Sequence, residues 1–345
     1  MLSSFGDVEK FNVPCERLLS ATHDEIISGA TSDVYFVKIR EVLNKIKRLD
    51  IEVAAEIFAR RKGIFAGLKE VKTLLCRKNI QVEAIAEGEY FSDTEVIMTI
   101  RGSYADFGVY ETAILGILAS SCGWATCARE CVEAAEGKPV LSFGARHLHP
   151  AVSSVMDCIA VKIGGCSGAS SILGAKLCGI MPSGTVPHAA VLLTGDTLEL
   201  AKVYDEVLPE GESRTFLVDT FKDEAEEALR LSYVLGDRLN GVRLDTPGER
   251  GGVTAELVRE VRSRLDQAGF SSVKIVVSGG LDPERIKLLA AAGADVFGVG
   301  SYISHAEPID MTMDIKEIEG KIIAKRGRIP GIRSNPRLSK VSFND

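Results

Sequence analysis

No stretch of this chain approaches the ~20 consecutive apolar residues of a membrane span. The opening MLSSFGDVEKFNV lacks a basic segment leading into an apolar one, so neither export nor membrane insertion is expected and a cytoplasmic location is. A basic excess is lacking too: 41 Lys and Arg face 48 Asp and Glu, a net charge of −7. That argues against the cationic footprint of a nucleic-acid binder but leaves room for a small anion held by a local cluster. There is no Cys-x-x-Cys pair, which leaves a zinc site with little support. The eight cysteines (Cys15, Cys76, Cys122, Cys127, Cys131, Cys158, Cys166 and Cys178) are expected as reduced thiols. Cys127 and Cys131, four apart, read as small buried hydrophobes on one helix face. Solenoid repeats and low-complexity tracts are missing as well. What remains is 345 residues, 46% hydrophobic and 26% charged, enough for a large barrel and a smaller unit.

Two styles of sequence follow one another. Residues 1–137 order their elements unevenly, as an α+β unit does. A helix follows Ala30 with apolar spacing at Val34, Val37, Val42 and Ile46, capped by Thr31, Ser32 or Asp33. IEVAAEIFAR, IQVEAIAEGEYF and EVIMTIRG read as strands, with GIFAGLKEVKTLLC a helix between the first two. A long apolar helix follows Asp106, with a break expected near Gly123. From residue 138 to 305 short β-rich runs (PVLSFGAR, IAVKIGGCSG, GTVPH, TFLVDT, GVRLDT, KIVVSGG, VFGVGS) alternate with amphipathic helices. Seven such βα units predict parallel strands closing into a complete or partial barrel, with an open doubly wound sheet as the rival. After that, IEGKIIAKRG reads as a strand. The basic tail KRGRIPGIRSNPRLSK is either solvated or packed back on the first unit.

A parallel barrel places its chemistry at the C-terminal strand ends. Those ends are Arg146, Ser167, His188, Asp219, Arg243 with Asp245, Gly279 with Gly280, and Gly298 with Gly300. The glycine turns of SGGLD and GVGS suit a phosphate held by bare N–H groups, although glycines also make tight turns with no ligand. Arg243 and Asp245, two apart, point to one side of a strand. They suit a phosphate and a sugar or magnesium diphosphate, or else form an interior ion pair. His188 with Asp219 suits a nucleophile or acid–base group, or a structural contact. Phe143 suits stacking on a planar ring, or plain core packing. His147 and His149 read as a helix start rather than a metal pair. Lys162 and Lys274, read as strand lysines, keep a Schiff-base lyase open.

Taken together, SDVYF, SFGAR, GGCSGASSILGAKLCGIMPSGTVPHA, VRLDTPGERGG, VVSGGLD and GVGS resemble nicotinate phosphoribosyltransferase, of the type II phosphoribosyltransferase group. The resemblance implies an incomplete (β/α) barrel with an α+β sandwich domain formed by N-terminal and C-terminal segments, residues 306–345 returning to the sandwich. It implies a homodimer or dimer-based assembly with shared sites. The implied reaction joins nicotinate to 5-phosphoribosyl 1-diphosphate with Mg²⁺ assisting, and consumes ATP through a phosphohistidine at His188 oriented by Asp219. By the same resemblance, Phe143 and a partner subunit's Tyr35 would sandwich the pyridine, with Asp33 beside it. Arg146 and Ser167 would face the substrate's anionic groups. Arg243 and Asp245 would hold the phosphoribosyl group, and Gly279, Gly280, Gly298, Gly300 and Ser301 its 5-phosphate. The sequence departs from that pattern at His147, where many relatives have a second arginine. The alternative within the same fold is quinolinate phosphoribosyltransferase, which binds a dicarboxylate, releases CO₂ and needs no phosphohistidine. A barrel that binds nucleotides without turnover is the non-enzymatic reading.

Overall fold

The computed structural model describes residues 2, 4–11, 17 and 19–343, so Cys15 lies outside the described residues. It forms two compact units, Met1–Thr126 with Glu307–Asp345, and Cys127–Ala306. The first is the α+β unit and the second the parallel α/β unit, an incomplete barrel.

The antiparallel sheet of the first unit runs Lys321–Ile322, Met311–Ile318, Glu52–Ala59, Val96–Ser103, Ile80–Ala84, Ser339–Lys340. Its central strand, Glu52–Ala59, is buried at every position after the first, which is why it reads as one apolar run rather than an alternation. Ile57, Ile97, Ile100, Phe107, Ile114 and Leu118 form part of the core behind it. The exception in the run is Glu56. It is buried, accepts from the backbone N and Nε of Arg333 at 3.0 Å, and lies 3.3 Å from Lys316 Nζ. A buried carboxylate needs such partners, and they come from the C-terminal residues. Arg337 adds ion pairs to Glu89 (2.7 Å) and Glu95 (2.8 Å), and Ser339–Lys340 pairs with Ile80–Ala84. The basic tail therefore packs back on this unit. The strand expected over IEGKIIAKRG ends where that segment begins: it is Met311–Ile318, and Glu319 (φ 49°) and Gly320 (φ 74°) make the hairpin turn into Lys321–Ile322.

The helix expected after Ala30 is Val34–Lys45, with Asp33 at its N-cap. The Asp33 side chain does not cap; its Oδ2 accepts from Thr112 Oγ1 at 2.9 Å. Tyr35 is more than half exposed, its ring 4.4 Å from that of Phe36. The long helix, Glu111–Ala134, runs unbroken through Gly123. Glycine is needed there for packing, not for a kink: a Cβ would sit 2.6 Å from the carbonyl oxygen of Glu307. The division between units falls inside this helix, not at 137/138. Its early turns supply Ile114, Leu118 and Cys122 to the first core, while Arg129 in its later turns donates to the carbonyls of Ile163 and Gly164 in the second.

At the start of this helix Glu111 is pushed up to about 7 by burial, with Asp314 and Asp33 adding repulsion. A carboxyl whose folded pKa is raised leaves stability undiminished below its ordinary value of 4.5, then erodes it as pH rises toward 7. Glu111→Gln is expected to melt higher than the parent at pH 8, with the gap closing by pH 4.5. A pH series of melting curves checks this, and a gap independent of pH would contradict it.

The second unit is built on six parallel strands in the order Gly168–Ala169, Val140–Ser142, Val296–Val299, Lys274–Val277, Gly241–Leu244, Thr215–Leu217. Among the described residues the two outer strands do not pair, so the barrel is incomplete. The sequence predicted seven strands, and two of the expected runs behave differently. The Ile159–Lys162 part of IAVKIGG is the last turn of the helix Pro150–Lys162, whose apolar face mimics a strand over so short a run. GTVPH joins no ladder among the described residues; it is an extended segment that ends at Pro187, the N-cap of the helix His188–Thr194. The helices Thr197–Val207, Glu224–Leu235 and Ala255–Gln267 fall where the amphipathic spacing predicted them.

Candidate active site

Parallel pairing in register brings the C-terminal strand ends to one edge. Val299 lies against Ser142, Val277 against Leu244, and Leu217 against Arg243. The residues that follow or close those strands meet there.

Arg243 is the centre of the cluster. Its Nε donates to Ser278 Oγ (2.8 Å), Nη1 to Thr185 Oγ1 (2.8 Å) and Nη2 to Asp245 Oδ2 (3.1 Å). Ser278, buried, donates in turn to Asp245 Oδ1 at 2.7 Å. Arginine and aspartate are thus fixed by each other and by one hydroxyl. Three of the guanidinium's five N–H donors are spent, leaving one on each terminal nitrogen for an anion. The interior ion pair exists, but its side chains keep 16% and 18% exposure, so a ligand can still reach it. The Arg243 guanidinium carbon stands 5.3 Å over the centroid of the Phe143 ring. Phe143 in turn lies against Gly298, where a Cβ would be 2.5 Å from two of its ring carbons.

The glycines surround this cluster. Gly279 (φ +92°) and Gly280 (φ +60°) turn the chain after Ser278, and the Cβ position of Gly279 is 3.3 Å from Asp245 Oδ1. Gly300 leaves room for His147, whose Cε1 would be 2.9 Å from an added Cβ. Ser301 opens a helix of only four residues, Ser301–Ser304, so any anion there relies on backbone N–H groups and not on a helix dipole. The other expected turn, SGGLD, ends at Asp282, the N-cap of Pro283–Ala292.

His188 Nε2 lies 3.1 Å from Asp219 Oδ2. The Asp219 side chain is 1% exposed, and its Oδ1 has no hydrogen-bond partner among the described residues. Burial raises the Asp219 carboxyl above the usual range, the nearby Asp245 charge adding to it, although the contact with His188 pulls the other way. Arg146 is exposed, in the 3₁₀ turn Ala145–His147. His147 Nδ1 meets Ser304 Oγ at 3.1 Å, and burial, with Arg146 and His305 close by, lowers its pKa. His149 takes the helix-start role, its Nδ1 accepting from Ala151 N.

Several expected residues are placed elsewhere. Ser167 is exposed and precedes the strand Gly168–Ala169, so it stands at the opposite, N-terminal edge. The serines that follow that strand are Ser170 and Ser171, and Ser171 caps the helix Ile172–Leu177 while donating to Asp157. Lys162 ends a helix, and Lys274 begins its strand 3.6 Å from Asp295, so neither lysine is at the mouth and the Schiff-base reading loses its nucleophile. Asp33 and Tyr35 belong to the other unit. Thr185 and Ser278 were not singled out by sequence reasoning. Ser278 adjoins a glycine turn that was, whereas nothing in the pattern marks Thr185, whose contact comes from a segment outside the sheet.

Two family models match this chain: the quinolinate phosphoribosyl transferase N-terminal domain over residues 33–122 and the C-terminal domain over residues 124–314. The chain belongs to the quinolinate phosphoribosyl transferase family. A solved nicotinate-nucleotide pyrophosphorylase from Pyrococcus furiosus is 42% identical, covering 96% of this chain and 87% of its own, with a TM-score of 0.87. A nicotinate phosphoribosyltransferase of Mycobacterium tuberculosis is 31% identical over 71% of this chain, which spans only 55% of that relative. The probable carboxylating nicotinate-nucleotide pyrophosphorylase of Methanothermobacter thermautotrophicus is 24% identical, with 77% of this chain and 90% of the relative aligned.

These findings correct the narrower identification drawn from the motifs. The quinolinate family models and the Pyrococcus structure overturn assignment as an ATP-coupled nicotinate phosphoribosyltransferase, and with it ATP as co-substrate and the phosphohistidine at His188. The motifs misled because this chain resembles proteins of both names: 31% identity to a nicotinate phosphoribosyltransferase and 42% to a nicotinate-nucleotide pyrophosphorylase. Among the described residues no group of three or more His, Cys, Asp or Glu is placed to hold a metal ion. No helix among them is long and apolar enough to cross a membrane.

Proposed function

We propose that this chain transfers the phosphoribosyl group of 5-phosphoribosyl 1-diphosphate to quinolinate, releasing diphosphate and CO₂ and forming nicotinate mononucleotide without ATP, a step of NAD biosynthesis. The observation that carries the reading is the Arg243–Ser278–Asp245 clamp under Phe143, at the mouth of an incomplete barrel of this family. The two spare guanidinium N–H groups suit a phosphate or diphosphate oxygen pair, which Arg binds as a fork. Asp245 suits a ribose hydroxyl. Phe143 offers a face to the pyridine ring, and Arg146, exposed and without an ion pair among the described residues, is a cation for a carboxylate. The ring nitrogen attacks C1 of the sugar as the bond to diphosphate breaks. The enzyme's task is to align the two and stabilise the leaving charge, with no strong base required. Once ribosylated, the pyridinium accepts the electron pair left when the adjacent carboxylate departs as CO₂, and a proton replaces it.

The test is product formation from quinolinate and from nicotinate, each with and without ATP. Quinolinate should be consumed with one CO₂ per nucleotide formed and no ATP effect. Equal or better use of nicotinate, or stimulation by ATP, would overturn the reading.

Asp33 and Tyr35 enter the proposal as contributions of a second copy in a homodimer, Tyr35 covering the other face of the ring. Mixing Tyr35→Ala chains with Arg243→Ala chains should recover activity in hybrid dimers, since one of the two sites then has both residues. Verified hybrids with no recovery would confine each site to one chain.

A further inference from the structure

We infer that Cys158 and Cys178 are an oxidisable thiol pair, forming a reversible disulfide that staples the helix Ile172–Leu177 to the helix Pro150–Lys162. Cys158 lies in the last two turns of Pro150–Lys162, and Cys178 is the C-cap of Ile172–Leu177. The Cys178 sulfur is 3.7 Å from the Cys158 carbonyl oxygen and within hydrogen-bonding reach of the Cys158 thiol. The two helices are already joined at the other end of the shorter one. Asp157, the neighbour of Cys158, accepts from the backbone N (3.2 Å) and hydroxyl (2.5 Å) of Ser171, the N-cap. A link at the C-cap would hold Ile172–Leu177 at both ends. It would also anchor the extended segment that follows, which carries Thr185 against Arg243.

Of the other described cysteines, Cys127 is half-buried as Cys158 is, but on the helix Glu111–Ala134. Cys122, Cys131 and Cys166 are buried, and burial raises the pKa of each thiol, Cys122 and Cys166 to about 12. Cys76 is exposed on the first unit. Cys158 is half-buried and so open to a small oxidant, while Cys178 is buried beside it. Burial, with the Cys158 thiol beside it, pushes the Cys178 thiol up to about 12 as well, Lys162 drawing it the other way, so what sets this pair apart is its geometry: the half-buried Cys158 meets the oxidant and the adjacent Cys178 closes the link.

The chemistry balances with a peroxide as oxidant. The Cys158 thiolate attacks one peroxide oxygen and expels hydroxide, giving a sulfenic acid. Cys178 then attacks that sulfur, loses its proton, and the sulfenic oxygen leaves as water. Two thiols lose two electrons and two protons, and hydrogen peroxide becomes two waters.

The experiment treats the whole chain with a small excess of hydrogen peroxide, blocks remaining thiols and maps tryptic peptides. The expected product joins residues 147–162 to residues 177–202, lighter by two hydrogens and released by dithiothreitol, while residues 163–176, with Cys166, stay reduced. The oxidised chain should melt about 5–10 °C higher, because the link closes a loop of about 20 residues. Cys158→Ser and Cys178→Ser should each abolish both effects, and Cys76→Ser neither. Free, alkylatable Cys158 and Cys178 after treatment, or a link joining either to another cysteine, would overturn the inference. The unmodified chain decides this alone, so a misfolded variant does not blur the result, and the substrate assay above does not bear on it.

Discussion

Replacing Arg243 by alanine is expected to lower kcat/KM for the phosphoribosyl donor by about 10²–10³-fold, the scale on which removing one preorganised charge-stabilising donor acts. Arg243→Lys should recover little of it. Arg243 serves three partners in fixed directions, the hydroxyls of Ser278 and Thr185 and the carboxylate of Asp245. An ammonium on a flexible stem cannot reproduce that fork and also present two N–H groups to a ligand. The alanine variant has a stability cost as well, because Asp245 and Ser278 lose their shared partner. We expect about 2–3 kcal/mol, below the figure for a fully buried pair because these side chains keep 16% and 18% exposure. Steady-state kinetics with melting curves separates the two effects. The lysine variant should fold nearly as stably as the parent while remaining slow. A lysine variant within about threefold of the parent in kcat/KM would show that the fork is not the transfer apparatus.

The parts of this protein legible in the sequence are those whose signal is local and repeated. The helices Thr197–Val207, Glu224–Leu235 and Ala255–Gln267 carry their apolar spacing over three or more turns, and the strand ends at Asp219 and Gly279 follow apolar runs with β-branched residues, while Arg243 sits within the short strand Gly241–Leu244. What was not legible depends on partners distant in sequence. Ile159–Lys162 is apolar enough for a strand but finishes a helix begun at Pro150, and that misreading carried Ser167 to the wrong edge. Gly184–His188 has the β-branched pair of a strand, yet it is tied down by side chains, Thr185 to Arg243 and His188 to Asp219, with Ser183 N just before it donating to Ala169 O. Gly123 looks like a helix breaker until Glu307 is seen against it. The choice between pyridine acids is harder still, because no motif in this sequence by itself marks one acid over the other; the family was set by the comparison with relatives.

Gly298→Ala tests the site from beneath, where sequence reasoning put a phosphate turn. In the structure its absent side chain is the floor under Phe143. A Cβ would fall 2.5 Å from both Cδ2 and Cε2 of that ring, a separation real carbons do not adopt. The backbone on both sides is held by the ladder, with Gly298 opposite Leu141 and Phe143 N bonded to Val299 O at 2.8 Å, so the ring must move rather than the strands. Moving it breaks the face presented to Arg243 and displaces the surface proposed for the pyridine. A shift of about 1 Å in such a positioning group costs roughly 10²-fold in kcat/KM. The overpacking itself should cost about 1–3 kcal/mol. Adding Phe143→Ala to Gly298→Ala separates the two losses. Removing the ring relieves the clash, so the melting temperature should recover, but activity should not, because the stacking face is gone. If the single variant turned over within about threefold of the parent, or the double variant regained full activity, Phe143 would be core packing and the pyridine would have to bind elsewhere on the rim.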